Sequence, residues 1–319
     1  MKFTLRQLSY FKSLCEHRNF GRAAQACHVS QPALSVQIKA LEDLMGGILV
    51  ERRARDVILT PLGRTVLAQS DQILQAAGQL DRLAQDQGSG QRSLSLGVIP
   101  TIAPYLLPGL LAGLRAHDLH LRIQVREART ERLLEALQTG ALDVAIMALP
   151  SGVSGLVEEE LFADHFLLAG SSKRLQQVNA GQAAVGPTDL KAEQLMLLED
   201  GHCLTDQALA VCGVARSASG INMGAGSLPT LSRLVAAGFG LTLMPELAVG
   251  AECSATKDLC VQRFIGEQPH RRIGLLRRAS TAGDGWFHDL AEVARQTGQD
   301  ILEQARKDFG PAIGVPEIL

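Results

Sequence analysis

No window of this 319-residue sequence approaches the roughly 18 consecutive apolar residues that a membrane-crossing helix needs. The opening stretch MKFTLRQLSYFKSLCEH is broken by Lys2, Arg6, Lys12 and Glu16, so it lacks the apolar run of a secretory signal. A cytoplasmic protein without a membrane partner is the expectation. Cysteine is scarce: Cys15, Cys27, Cys203, Cys212, Cys253 and Cys260 are too few for a disulfide scaffold. None forms a C-x-x-C pair and the histidines do not fall at zinc-finger spacing, which argues against a structural metal. Missing as well, at any strand-to-helix junction, are G-x-S-x-G, H-E-x-x-H, P-loop and G-x-G-x-x-G patterns. Neither an enzyme nor a bound cofactor is expected.

What is present is unevenly distributed. The chain carries a net charge of −2, yet Met1–Arg64 holds ten basic residues against five acidic ones, so the remainder is distinctly acidic. A small basic module on a larger acidic body suggests an anionic partner for the first part only. Within that part, Asn19 is placed to cap a helix running to about Cys27, and Ser30 to cap the next, whose first turn accepts Pro32. Two helices joined this tightly form a helix-turn-helix unit. On the second, Leu34, Ile38, Leu41 and Met45 make the core face, while Gln31, Pro32, Ser35, Val36 and Lys39 make a face able to enter a major groove. A solvated amphipathic helix explains that stretch equally well. The strand-like runs Leu49–Arg53 and Val57–Thr60 then bracket Arg53 and Arg55, a basic wing suited to the phosphate backbone or minor groove.

The run NFGRAAQACHVSQPALSVQIKALEDLMGGILVERRARDVILTPLGR resembles the N-terminal domain of LysR-type transcriptional regulators, with its F-x-x-A-A, SQPALS, LE and LTPLG elements in order. The resemblance covers nearly all of the first 65 residues. It implies that Gln31, Pro32, Ser35 and Arg55 lie at double-stranded operator DNA. From Pro61 to Gln87, Val66, Ile73 and Leu80 recur seven apart, and a helix of that length would be about 35–40 Å long, so the seam is expected to meet a copy of itself. The family implies a dimer through this helix.

From Ser93 the pattern changes to strands alternating with helices: SLSLGVIP, LRIQVRE and LDVAIMALP separated by Pro104–Ala116 and Thr130–Thr139. A second group is expected with strands near Leu195–Leu198, Ile221–Met223 and Gly240–Met244. The strand RRIGLLRR and a helix from about Gly285 to Lys307 return to the first lobe. The expected architecture is α/β and multidomain: a winged helix-turn-helix over 1–60, a linker and dimerisation helix over 61–90, and a regulatory domain of the two-lobed periplasmic-binding-protein-like kind over 91–307. Lobe I takes about 91–165 and 271–307, lobe II about 166–270, and 308–319 form a tail. Thr101 after the first strand and Thr130 at a helix start are placed to face the cleft, although a cap is the commoner role for such threonines.

The stretch LLEDGHCLTDQALAVC sets Cys203 and Cys212 nine apart in what reads as one short helix. Their Cα atoms would then lie about 13 Å apart, whereas a disulfide needs less than about 7 Å, so a bond would have to unwind the segment. The helix N-terminus and the adjacent His202 would both favour a thiolate at Cys203. An inert pair remains the commoner situation in the cytosol. The segment and its G-H-C-x-x-D-Q context are, however, similar to the sensor segment of the hydrogen-peroxide-responsive branch of the LysR-type family. That resemblance implies a peroxidatic Cys203, a resolving Cys212, and Thr101, Thr130, His202 and Asp206 around the peroxide, with Thr205 and Arg126 differing from some members. It further implies a homodimer or homotetramer, contact with RNA polymerase, and resetting by a thiol reductant of glutaredoxin or thioredoxin type. Two other expectations compete: a LysR-type regulator answering a small organic effector with inert cysteines, and a thiol peroxidase.

Overall fold

A computed structural model describes residues 3–52, 56–89, 93–117, 122–179, 184–214, 225–266, 268–281 and 285–310. Arg53, Arg55, the strand expected near Ile221–Met223 and residues 311–319 lie outside them. The chain divides into two compact units, one spanning Met1–Gly90 and the other most of the remainder.

The first unit begins with α1 (Leu5–His17), whose Thr4 hydroxyl accepts the Gln7 N–H while the Gln7 side chain accepts the Thr4 N–H. This reciprocal pair settles two backbone donors that a helix start leaves open. Asn19 caps α2 (Phe20–Ala26) and Ser30 caps α3 (Gln31–Met45), which ends at Gly46 in the left-handed region. The strands β1 (Val50–Arg52) and β2 (Val57–Leu59) pair antiparallel, and the Glu42 carboxylate accepts the N–H groups of Leu49 and Val50, tying the wing to α3. Phe11, Leu14, Leu34, Ile38, Leu41 and Leu49 fill the core, each contributing about 1.5–3 kcal/mol by leaving water. The long helix α4 (Pro61–Ser89) follows. Its Gly63 passes so close to the Leu49 carbonyl that a Cβ there would collide with it. Val66 and Ile73, read as members of a seam for a second copy, are partly buried against this core, and Leu80 stands 69% exposed.

In the second unit β3 (Ser93–Val98) runs parallel to both β4 (Arg122–Glu127) and β5 (Val144–Leu149), with α5 (Ala103–His117) and α6 (Thr130–Gln138) as crossovers. Next comes β6 (Leu156–Ser171), a 16-residue strand that the sequence pattern did not suggest. Over Leu156–His165 it pairs antiparallel with β9 (His270–Arg278), and from Phe166 it pairs with β7 (Leu241–Pro245) and β8 (Leu259–Gln262) instead. The sheet order is β4-β3-β5-β9-β6-β7, with β8 also on β6. The helices α7 (Ser172–Asn179), α8 (Cys203–Cys212), α9 (Leu228–Ala236) and α10 (Glu246–Ala255) belong to the second half, and α11 (Trp286–Phe309) closes the chain. The expected parallel strand near Leu195–Leu198 is reduced to two isolated bridges, Leu195 to Leu241 and Leu198 to Ala225. The main ladders of this half, β6 with β7 and β6 with β8, are antiparallel.

At the partner switch of β6 lie two buried polar groups. Asp164 and Arg271 are cross-strand neighbours, paired at 2.9 Å with fully buried side chains. Glu246, first in α10, receives hydrogen bonds from Arg263 and Arg306 and lies 3.4 Å from His165 Nδ1. Burial alone would raise the Glu246 carboxyl, but those partners outweigh it and hold it down at about 2. A depressed carboxyl contributes stability that is present above its unfolded value and is lost as pH falls through the folded one. The expected outcome is an acid limb between about pH 4.5 and 2 worth on the order of 3 kcal/mol, which Glu246→Gln flattens. Chemical denaturation across that window measures it. No helix among the described residues is long and apolar enough to cross a membrane, and no cluster of three or more His, Cys, Asp or Glu among them is able to hold a metal ion.

Candidate functional site

The helix α8 is set by its own pattern. Leu204, Ala208 and Cys212, four apart, pack into the core of the second lobe, and Gly213 at φ 65° ends the helix. The Thr205 hydroxyl donates to the Leu198 carbonyl at 3.0 Å, fastening the first turn to the segment that bridges β7. Cys203 is the first residue of the helix and is partly exposed, while Cys212 is buried at its last turn. The helix is unbroken, so the two thiols occupy its opposite ends, about 13 Å apart along the axis. No disulfide fits that geometry.

Around Cys203 close Thr101 and Thr130, with His202, Gly201 and Arg129 completing the wall. Four of the five candidate redox-pocket side chains outside Cys212 thus come together: Thr101, Thr130, His202 and Cys203. Asp206 does not join them. It lies exposed on the outer side of the first turn of α8 and is not part of this lining. Arg126, likewise, is exposed on the edge strand β4.

Each wall residue is held by a nameable cause. The Thr101 hydroxyl accepts a hydrogen bond from Arg271 at 2.8 Å and its carbonyl another at 3.2 Å. With a lone pair so occupied, its own O–H is free to point at a ligand. Arg271 is in turn held by Asp164, whose second oxygen accepts the Leu247 N–H at 2.9 Å. Burial pushes the Asp164 carboxyl up, and the Arg271 guanidinium and the Leu247 N–H oppose it. The Thr130 hydroxyl oxygen is buried and has no hydrogen-bond partner among the described residues. Such an atom costs about 1–3 kcal/mol unless something occupies it. Arg129 donates to the Asp200 carbonyl at 2.7 Å and pairs with Glu199 at 3.1 Å, lying flat on Gly201. Gly201 has φ +89° and a Cβ there would meet the guanidinium at 3.0 Å, so only glycine suits the position.

One electrostatic expectation changes. His202 is buried, and burial first, then the neighbouring Arg129 charge, lower its pKa. It is therefore neutral near pH 7 and supplies a ring dipole rather than a positive charge to Cys203. The helix N-terminus remains as a source of positive potential there. At the other end, burial pushes the Cys212 thiol up to about 11, keeping it protonated and unreactive while α8 is intact.

Neither Arg271 nor Asp164 was singled out from the sequence. A signal existed: Asp164 interrupts the apolar run LFADHFLL, where a charge inside a strand demands a buried partner. That partner lies 107 positions away, beyond local pattern.

In the first unit, Gln31, Pro32, Val36 and Lys39 are exposed along one face of α3 and Ser35 is half-buried, while Leu34, Ile38 and Leu41 turn inward. The candidate contacts Arg53 and Arg55 lie outside the described residues.

Residues 5–64 match the model of the bacterial regulatory helix-turn-helix protein, lysR family, and residues 87–299 that of the LysR substrate binding domain. Over 306 residues the chain is 39% identical to the DNA-binding transcriptional dual regulator OxyR of Escherichia coli K12, covering 94% of this chain and 99% of the relative. It is 38% identical over 306 residues to a hydrogen peroxide-inducible genes activator of Pectobacterium carotovorum subsp. carotovorum, covering 95% and 99%. Among solved structures, a hydrogen-peroxide-bound mutant of Corynebacterium glutamicum OxyR superposes with a TM-score of 0.65 at 34% identity, covering 99% of each chain.

Proposed function

The chain belongs to the LysR family of bacterial helix-turn-helix regulators, in its OxyR branch, and from that premise we propose that it senses hydrogen peroxide through a reversible Cys203–Cys212 disulfide. It is a DNA-binding regulator and not an enzyme. The observation that carries the redox reading is the placement of both thiols at opposite ends of one unbroken helix, with the exposed one inside a wall of hydroxyls.

Chemically, the Cys203 thiolate attacks one peroxide oxygen. The O–O bond breaks, the sulfur becomes a sulfenic acid, and the leaving hydroxide takes a proton to depart as water. The Thr101 O–H, oriented by Arg271, and the unpartnered Thr130 hydroxyl hold the peroxide oxygens, and neutral His202 lines the same space. The Cys212 thiol then attacks the sulfenic sulfur, releasing a second water and leaving the disulfide. That second step requires α8 to unwind, which converts a two-electron oxidation into a change of fold in the second lobe. Two external thiols of a glutaredoxin- or thioredoxin-type reductant restore the helix and are themselves oxidised. The unwound segment shifts the contacts between copies in a homodimer or homotetramer, respaces the reading heads on the operator, and alters contact with RNA polymerase.

For the DNA side, Lys39 is placed to neutralise a phosphate and Gln31 and Ser35 to read base edges. Lys39→Ala is expected to weaken binding evenly across operator sequences and to reduce the slope of log affinity against log salt by about 1. Gln31→Ala is expected to relax base preference, costing about 1–3 kcal/mol on the cognate site. Fluorescence anisotropy on cognate and scrambled duplexes at several salt concentrations measures both. Unchanged affinity on both duplexes together with an unchanged salt slope would remove these residues from the interface.

A further inference from the structure

The second lobe holds two more cysteines that the α8 switch does not use. Cys253 lies in the last turns of α10 and Cys260 in β8, and both are partly buried against the core cluster that also receives Cys212. Between them the chain reverses. The Thr256 N–H bonds the Glu252 carbonyl at 2.9 Å, the Leu259 N–H bonds the Thr256 carbonyl at 3.3 Å, and Asp258 takes φ +68° to complete the turn. The end of α10 is thereby folded back along β8, and the two elements pack on each other. Among the described residues β8 enters one ladder, on β6, with Cys260 opposite Gly170.

We propose that Cys253 and Cys260 form a second thiol pair, closed to a disulfide by thiol–disulfide exchange with low-molecular-weight disulfides rather than by direct attack on peroxide. The contrast with α8 carries the point. Cys203 and Cys212 are separated by an intact helix, whereas Cys253 and Cys260 flank a reversing turn between two elements that pack on each other, so their bond does not have to span a helix from end to end. Burial first, then neighbouring Cys260 and Glu252, push the Cys253 thiol up to about 11, which makes it a poor peroxide nucleophile; in the second step its small thiolate fraction is offset because the attack is intramolecular. In the exchange, the Cys260 sulfur attacks one sulfur of the small disulfide, breaking its S–S bond and releasing one thiol. The Cys253 sulfur, on losing its proton, then attacks Cys260 in that mixed disulfide and releases the second thiol. Two protein thiols are oxidised, one small disulfide is reduced to two thiols, and the two protons leave with them.

The test uses the full-length chain with oxidised glutathione, on the wild type and on a Cys203→Ser/Cys212→Ser variant, so that failure of the α8 mechanism leaves it untouched. Lys257 lies between the two cysteines, and cleavage after Arg233, Lys257 and Arg263 puts them in separate tryptic peptides, 234–257 and 258–263. The expected result is one joined species, two hydrogens lighter than the two peptides, with free thiols in the variant falling from four to two. Mapping the wild type in parallel covers the case in which the double variant does not fold. Separate recovery of the two peptides, whether alkylated or each carrying glutathione, would overturn the proposal, as would a joined species that forms only after denaturation.

Discussion

Replacing Cys203 with serine is expected to abolish the peroxide response: no thiol is lost on treatment with one equivalent of peroxide, and the DNA footprint is the same before and after. A serine hydroxyl is not ionised near neutral pH and forms no counterpart of a sulfenic acid, so the first bond-forming step disappears rather than slows. Cys212→Ser behaves differently. The first step survives, so a sulfenic acid accumulates at Cys203 and reacts with dimedone, while α8 stays helical because no second sulfur pulls it open. Thiol titration, dimedone labelling and footprinting on the two variants separate the steps. If Cys203→Ser retained a peroxide-dependent footprint, another residue would be the sensor.

The second large effect is expected at Arg271, through stability. Arg271→Ala leaves Asp164 as an unpaired carboxylate with no solvent access, and breaking a buried pair on one side costs about 3–5 kcal/mol. For a unit of this size each kcal/mol moves the melting temperature by about 2–4 °C, giving a fall of roughly 6–20 °C. The charge-free pair Asp164→Asn/Arg271→Met is expected to recover part of the loss, because nothing charged remains stranded. Arg271→Ala also removes both donors that hold Thr101, so Cys203 oxidation is expected to slow even at temperatures where the variant is folded. Calorimetry with stopped-flow peroxide oxidation at 15 °C measures both. A stability loss with an unchanged oxidation rate would confine Arg271 to a structural part.

The elements legible in the sequence were those with local causes. Asn19, Ser30 and Pro32 announce two helix starts within a dozen residues, and the structure places helices at both. The α8 boundaries were readable from an acid in the first turn and Gly213 after the last. What was not readable depends on distant partners. In β6, Glu158, Glu159 and Glu160 look like a solvated loop, but Ser151, Arg295 and Arg272 engage them one by one. Arg295 lies 136 positions from Glu159, and β9, whose ladder holds this part of β6, lies more than 100 positions away, so no local window of sequence contains the reason the strand persists. The neutrality of His202 is illegible for the same reason, since Arg129, set against Gly201 from another element, adds to burial in lowering its pKa. Val66 and Ile73 show a different case, where positions of a heptad spacing also pack on the helix's own domain core.

The central claim is that one chemical event links the two ends of α8. Tryptic cleavage releases Cys203 and Cys212 together in a single peptide, 192–216, so the most direct measurement is its mass under non-reducing conditions after one equivalent of peroxide. The account predicts a loss of two hydrogens from that peptide, reversed by dithiothreitol, with free thiols falling from six to four and helix content falling in step. An unchanged peptide, or a linkage joining either cysteine to another residue or to a second chain, would contradict it.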